Sequence, residues 1–422
     1  MIGKPVIFAG LFALSLGAAV AARAAAVDDF FDRVDEALSG GAFNNAVRAR
    51  LSGTLDFEGY SLQQPAPSLI YTDGHALFSP RLTLFLDAQL GSRVYFYAQG
   101  RADRGFDPGE GGLRGRLDEY ALRVSPTDRG RLNFQIGKFA TFVGNWALRH
   151  GSWESPFVTA PLPYTNLTGI WDIIAARSTD VLLAWASVTP QPSRGGEYLV
   201  KERSVPVIWG PSYATGAAVF GELGKLSYAV ELKNASLSSR PEDWDANRAQ
   251  WRNPTWSGRL GYRPNPMWNF GVSASAGSYL QPSAAPTMVP GATLDGYREV
   301  VFGQDIAFAW HYVQLWAEAY ETSFKIPRVG EANTFSYYVE SKVKLTPQFF
   351  LALRWNEQRF TMLADRFGRS FRWGREVWRM DVGPGYRFSP HTQFKLQYSL
   401  QHETADLREL GQMVAGQLTV RF

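Results

Sequence analysis

Arg149, His150 and Glu154 lie close together between Trp146 and Trp153, with Asn145 just upstream. A cation, a titratable ring, an anion and an amide at that spacing suit recognition of a passing solute. Bond-making chemistry has less support. His75, His150, His311, His391 and His402 show no metal-ligand spacing, so no metal is expected. With no cysteine there is neither a disulfide framework, nor a thiolate metal site, nor a c-type haem attachment, and no cofactor is expected. No G-x-S-x-G, P-loop or H-E-x-x-H motif occurs, and Gly109, Gly111, Gly112 and Gly115 lack the dinucleotide-binding spacing. No enzymatic activity is expected.

The stretch that carries these residues, 138–167, is where the chain stops alternating. Before it, Arg131, Asn133 and Gln135 alternate with Leu132, Phe134 and Ile136, the period-two signature of a strand with unlike faces. Inside it, aromatics and prolines replace alternation. A long connection of this kind is functional or disordered, and its aromatic content argues against disorder. Trp146, Trp153 and Tyr164 are the expected anchors, and Arg149, His150, Glu154, Trp146, Trp153 and Asn145 are expected at the constriction, facing solute.

The flanking elements must therefore be strands that can support an inward loop. At the N-terminus, Lys4, an apolar run and the alanines around Arg23 read as a secretory signal peptide over 1–25. A short periplasmic amphipathic helix and linker is expected over 26–45, with Phe30, Phe31, Val34 and Leu38 at helical spacing. No later window is apolar enough for a spanning helix. Export without spanning helices is compatible with a membrane protein only as a closed barrel, which satisfies every backbone group. Formal net charge is +4, of which Lys4 and Arg23 belong to the leader, so there is no electrostatic case for nucleic acid.

From residue 46 to 422, alternation predicts eighteen strands, with sixteen as the alternative. Two of the eighteen, 168–177 and 181–189, form a hairpin around 178–180. Connections then alternate eight short with nine long, as an even-stranded antiparallel barrel with short periplasmic turns requires. The fold class is all-β: a transmembrane antiparallel barrel with a short N-terminal helix. By phase, Tyr95, Tyr97, Arg101, Trp316, Glu318, Arg354 and Arg379 belong to the lumen wall, because residues alternating with the apolar face point to water.

The last strand, QMVAGQLTVRF, places Val414, Gly416, Leu418, Val420 and Phe422 on one face and ends on an aromatic. In this the chain resembles bacterial outer-membrane barrel proteins, and more narrowly porins, whose third external loop folds into the lumen. By count, 138–167 is that loop, and eighteen strands match the substrate-selective branch. The resemblance implies location in the outer membrane of a Gram-negative-type bacterium and passive diffusion of small hydrophilic solutes, sugars or organic anions among them. It implies as partners membrane lipids, lipopolysaccharide and the barrel-assembly machinery acting through Phe422, and it allows a homotrimer. The rival readings are a surface hydrolase borne on a barrel and a sheath around a partner such as an electron carrier.

Overall fold

The structure, a computed structural model, describes residues 28–42, 46–72, 74–104, 112–187, 201, 203–246, 250–404 and 410–422. The expected leader lies outside them. Helix α1 covers 28–37. In chain order the strands are β1 Ser39–Ala42, β2 Val47–Leu62, β3 Ala76–Leu90, β4 Val94–Asp103, β5 Arg114–Val124 and β6 Asn133–Phe139. Helix α2, Thr179–Ser187, is followed by β7 Ala214–Leu223, β8 Leu226–Lys233, β9 Thr255–Asn265, β10 Trp268–Ser278 and β11 Arg298–Trp310. Then come β12 Val313–Ile326, β13 Gly330–Lys344, β14 Phe349–Phe360, β15 Met362–Ala364, β16 Ser370–Arg372, β17 Val377–Arg387, β18 Thr392–Glu403 and β19 Gly411–Arg421.

Sixteen of these close into one antiparallel barrel: β2 to β14 and β17 to β19, sealed where β19 pairs with β2 from Arg421↔Thr54 to Met413↔Leu62. The small strand β1 adds to the first residues of β2, while β15 and β16 form a separate hairpin in an external loop. Phe422 and Gly53 exchange backbone hydrogen bonds at the seam, at 2.8 and 3.0 Å. A side chain at Gly53 would collide with the Phe422 ring, its Cβ falling 2.6 Å from Cζ.

The expectation of eighteen strands is corrected to sixteen. The hairpin expected at 168–189 does not exist, because β6 pairs directly with β7, from Asn133↔Phe220 to Phe139↔Ala214. Its first half is irregular chain, and its second half is α2. The three residues 178–180 start that helix rather than turn a hairpin: the Val181 N–H donates to Ser178 Oγ at 3.4 Å, and Asp180 lies in the first turn. The third external connection accordingly runs 140–213, well beyond 138–167. Removing a whole hairpin leaves strand parity even, so the alternation of short and long connections could not detect the error.

The barrel is apolar outside and charged inside. On β14, Leu353 and Trp355 are exposed while Ala352, Arg354 and Asn356 are buried. An outer wall of this kind needs a lipid solvent, and closure leaves no strand edge unpaired within it. Outward tryptophans mark both interfaces: Trp256, Trp355 and Trp378 toward the long loops, Trp268 and Trp310 toward the short turns.

The external loops bury their apolar side chains on one another. Ile170, Leu182, Trp209, Trp244, Tyr279 and Trp373 belong to one cluster with wall residues Phe324 and Phe360. Because this cluster rests on wall residues from β7 to β14, the main free space lies beside β2, β3, β4 and β19. At the other end, Phe31 of α1 stacks 5.7 Å from His391 and 6.4 Å from Phe422, so the barrel rim covers part of the apolar stripe of α1 while Phe30 stays exposed.

Candidate constriction site

The loop 140–213 is fastened at its feet by one cation. Lys233 on β8 donates to the carbonyls of Phe139 at 2.7 Å and Ser212 at 3.2 Å. A β-bulge in β5 opposite Gln99 and Gly100 shifts the local phase and places both Asp118 and Glu119 at the interior. Glu119 accepts the Ala140 N–H at 2.7 Å, and Asp118 pairs with Arg101 at 3.0 Å and Arg116 at 2.7 Å.

From there the loop crosses the lumen along a row of wall acceptors and donors. Glu318 on β12 is the central one. Its Oε1 accepts the Asn145 and Trp146 amides at 2.5 and 2.7 Å, and its Oε2 accepts the Tyr164 and Tyr320 hydroxyls at 2.6 and 3.1 Å. Gly144, at φ +73°, allows this approach, since a Cβ there would meet the hydroxyls of Tyr320 and Tyr164. Farther on, Arg354 donates to Thr159 O at 2.9 Å, Arg379 to Ala160 O at 2.6 Å, and Gln397 accepts the Val158 and Thr159 amides. Lys395 gathers the carbonyls of Ser152, Ser155 and Phe157. The wall supplies partners for loop backbone groups that the loop's own short turns, such as Arg149 N–H to Trp146 O at 2.9 Å and Asn166 N–H to Leu162 O at 2.8 Å, leave unpaired.

The residues expected to face solute divide. Asn145, Trp146 and Trp153 are buried: Trp146 lies 4.4 Å from the Tyr164 ring, and Trp153 is packed beneath Arg421 at 4.1 Å and Arg387 at 5.0 Å. Arg149 points at the wall, paired with Glu340 at 2.5 Å and lying 4.3 Å over Trp316. His150 is held by Ala147 O and the Tyr213 hydroxyl. Burial, with Arg101 adding to it, pushes its pKa down to about 4, so it adds no charge near neutral pH. Its Nδ1 faces a carbonyl and carries the proton, leaving Nε2 to accept from Tyr213. Glu154 is the exposed member of the set.

Of the expected wall residues, Glu318, Arg354 and Arg379 lie buried under the loop, Trp316 is covered by Arg149, and Tyr95 and Tyr97 remain partly open below Arg123. Arg387 and Arg421, at the last residues of their strands, were not among the expected site residues. Extending the period from Arg379 and Asp381, and from Gln417 and Thr419, by a few more residues would have found them.

The space left is a cavity of ≈ 830 Å³ whose lining runs from Leu69 and Ile70 in the first external connection to Pro390 and His391 in a short turn. It therefore reaches toward both ends of the barrel. On its wall, Arg81 pairs with Asp56 at 3.1 Å and Glu58 at 2.5 Å. A second cavity, ≈ 580 Å³, lies beneath the loop beside Arg123 and Phe142, and Leu148, 70% exposed, borders both.

Solved structures share this arrangement of strands. OmpF of Salmonella typhi, in complex with daunomycin, aligns with a TM-score of 0.55 over 91% of this chain and 100% of its own, at 10% identity. The chain has the fold of the bacterial outer-membrane porins. An anion-selective porin from Comamonas acidovorans aligns at 0.52 over 89% of this chain and 99% of its own, at 11% identity. OmpT, an outer membrane protein of Vibrio cholerae, aligns in its trimer form at 0.53 over 89% and 99%, at 9% identity. No family model and no curated protein matches. Within the porin fold, sixteen strands remove the argument for the eighteen-stranded branch, and the inward third loop is longer than expected.

Proposed function

We propose that the chain is an outer-membrane channel for passive diffusion of small hydrophilic solutes in a Gram-negative-type bacterium, with a preference for anions. The observation that carries this is the cavity between loop and wall, lined from one end of the barrel toward the other. Width and charge at the narrowest part decide what passes such a path, with no bond-making step. Arg387 and Arg421 border the loop tip, and among the described residues no carboxylate is paired with either. Among the described acids of loop three, Asp172 is bound to Arg240 at 2.7 Å and Asp180 holds the Arg366 N–H outside the lumen, which leaves Glu154 as the acid of that loop facing them. Small organic anions fit this balance better than neutral sugars do.

The sheath reading loses its basis, since a path of this volume has no room for a partner protein. A homotrimer suits the outer wall: β18, β19 and β2 to β8 carry no tryptophan, and Gly53, Gly59, Ala98 and Gly100 keep part of that face smooth. We assign lipids and lipopolysaccharide to the tryptophan-bearing face, and recognition by the assembly machinery to Phe422.

The test is flux. Proteoliposomes should swell in iso-osmotic small carboxylates about two-fold or more faster than in neutral sugars of equal size, the bias expected from ~0.5 kcal/mol at a water-exposed charge. Equal rates would remove the anion preference, and no swelling would remove the channel.

A further inference from the structure

Helix α1 is strongly acidic, with Asp28, Asp29, Asp32, Asp35 and Glu36 against Arg33. Two of these acids reach the lumen. Asp35 accepts two hydrogen bonds from the Arg50 guanidinium, at 3.0 and 2.9 Å, and Asp32 Oδ1 lies 3.0 Å from His391 Nε2. Both line the cavity that Arg50, His391 and Arg421 also line. The rim beneath them is one connected unit: His391 Nδ1 meets the Arg421 carbonyl at 2.9 Å, and Arg421 Nε donates to Pro390 O at 2.6 Å.

The helix is held there by independent contacts. β1 continues it into the sheet, pairing Ser39↔Arg50 through Ala42↔Val47, and the Leu51 N–H donates to Leu38 O at 3.0 Å. Phe31 fixes its rotation by stacking on His391 and Phe422. Asp32 and Asp35 are thereby aimed at the basic rim, while Asp29 and Glu36 are exposed and do not line the cavity.

We propose that α1 forms an acidic lip at the periplasmic mouth, in which Asp32 and Asp35 are charge-determining residues of the solute path. Resting on the channel reading, this assigns to the helix a part in selectivity. Asp35 neutralises Arg50, and the pair of carboxylates weakens the anion attraction of Arg387 and Arg421 just inside. Because these acids stand at one end only, the field along the path is asymmetric, and current should depend on the sign of the voltage. Fixed charges at a water-filled mouth act within about 10 Å at 0.1 M salt, so the asymmetry belongs to low ionic strength.

The test compares wild type, D32N/D35N and the control D29N/E36Q as full-length refolded barrels in planar bilayers at 0.1 M KCl. D32N/D35N should raise the anion-to-cation permeability ratio about two-fold and reduce rectification, both effects fading at 1 M salt as screening shortens to ~3 Å. D29N/E36Q should match wild type. A conducting wild type with D32N/D35N unchanged overturns the lip, as does an equal shift from D29N/E36Q, which would indicate general surface charge. A D32N/D35N barrel that does not fold is replaced by D32N alone, read by the same two quantities. A folded wild type that passes no current overturns the channel reading, and the lip with it.

Discussion

Replacing Arg387 and Arg421 together by glutamate should reverse the ion preference of the pore. Both guanidinium groups lie over the Trp153 ring at the loop tip, and the exposed acid of that loop is Glu154. A unit charge near a passing ion contributes ~1 kcal/mol at 4 Å in water, so the double exchange should move the permeability ratio at least about five-fold toward cations. The neutral R387Q/R421Q pair should fall between wild type and the reversed variant. Reversal potentials in a KCl gradient measure both. R359E is the control, because Arg359 points outward beside Glu357. A reversed variant with an unchanged potential would place selectivity elsewhere in the lumen.

Removing the Glu318 carboxylate should release the loop from the wall while leaving the barrel closed. In E318A the amides of Asn145 and Trp146 lose their acceptor, and the Tyr164 and Tyr320 hydroxyls are left with their bond to each other. A buried donor left without a partner costs ~1–3 kcal/mol, and a local opening made ~2 kcal/mol easier is visited about thirty times more often. Trypsin cleavage after Arg149 should accelerate accordingly, and single-channel current should become noisy. The strand ladders do not involve this side chain, so heat-modifiable migration should persist. E318Q keeps an acceptor and should be intermediate. Unchanged cleavage and a quiet current in E318A would mean that Lys395, Gln397 and Arg354 hold the loop without Glu318.

Much of the barrel was legible because an alternating strand records which side of it meets lipid. Leu351, Leu353 and Trp355 announce β14 as plainly in the sequence as in the structure. The hairpin at 168–189 failed for a physical reason: its apolar side chains, Ile170 and Leu182 among them, pack against other external loops, so their spacing records that packing and not a face turned to lipid. Val181, Leu182, Leu183 and Trp185 fit a buried helix as well as a strand, and Ser178, Thr179 and Asp180 serve equally as turn or cap. In the site, the large rings at Trp146, Trp153 and Tyr164 signalled burial, and the structure buries them. The direction of Arg149 was beyond sequence, because Glu340 and Trp316 lie far along the chain from it. Arg387 and Arg421 continue the inward phase of their strands and were legible to that extent; what the sequence could not give is the path of the loop that brings Trp153 beneath them.

The reversal potential of single wild-type barrels across a ten-fold KCl gradient tests the central claim most directly. The expected result is a stable open conductance whose zero-current voltage is displaced toward the chloride potential, with the displacement shrinking as total salt rises. A folded barrel that conducts nothing, or one whose zero-current voltage lies toward the potassium potential, would contradict it.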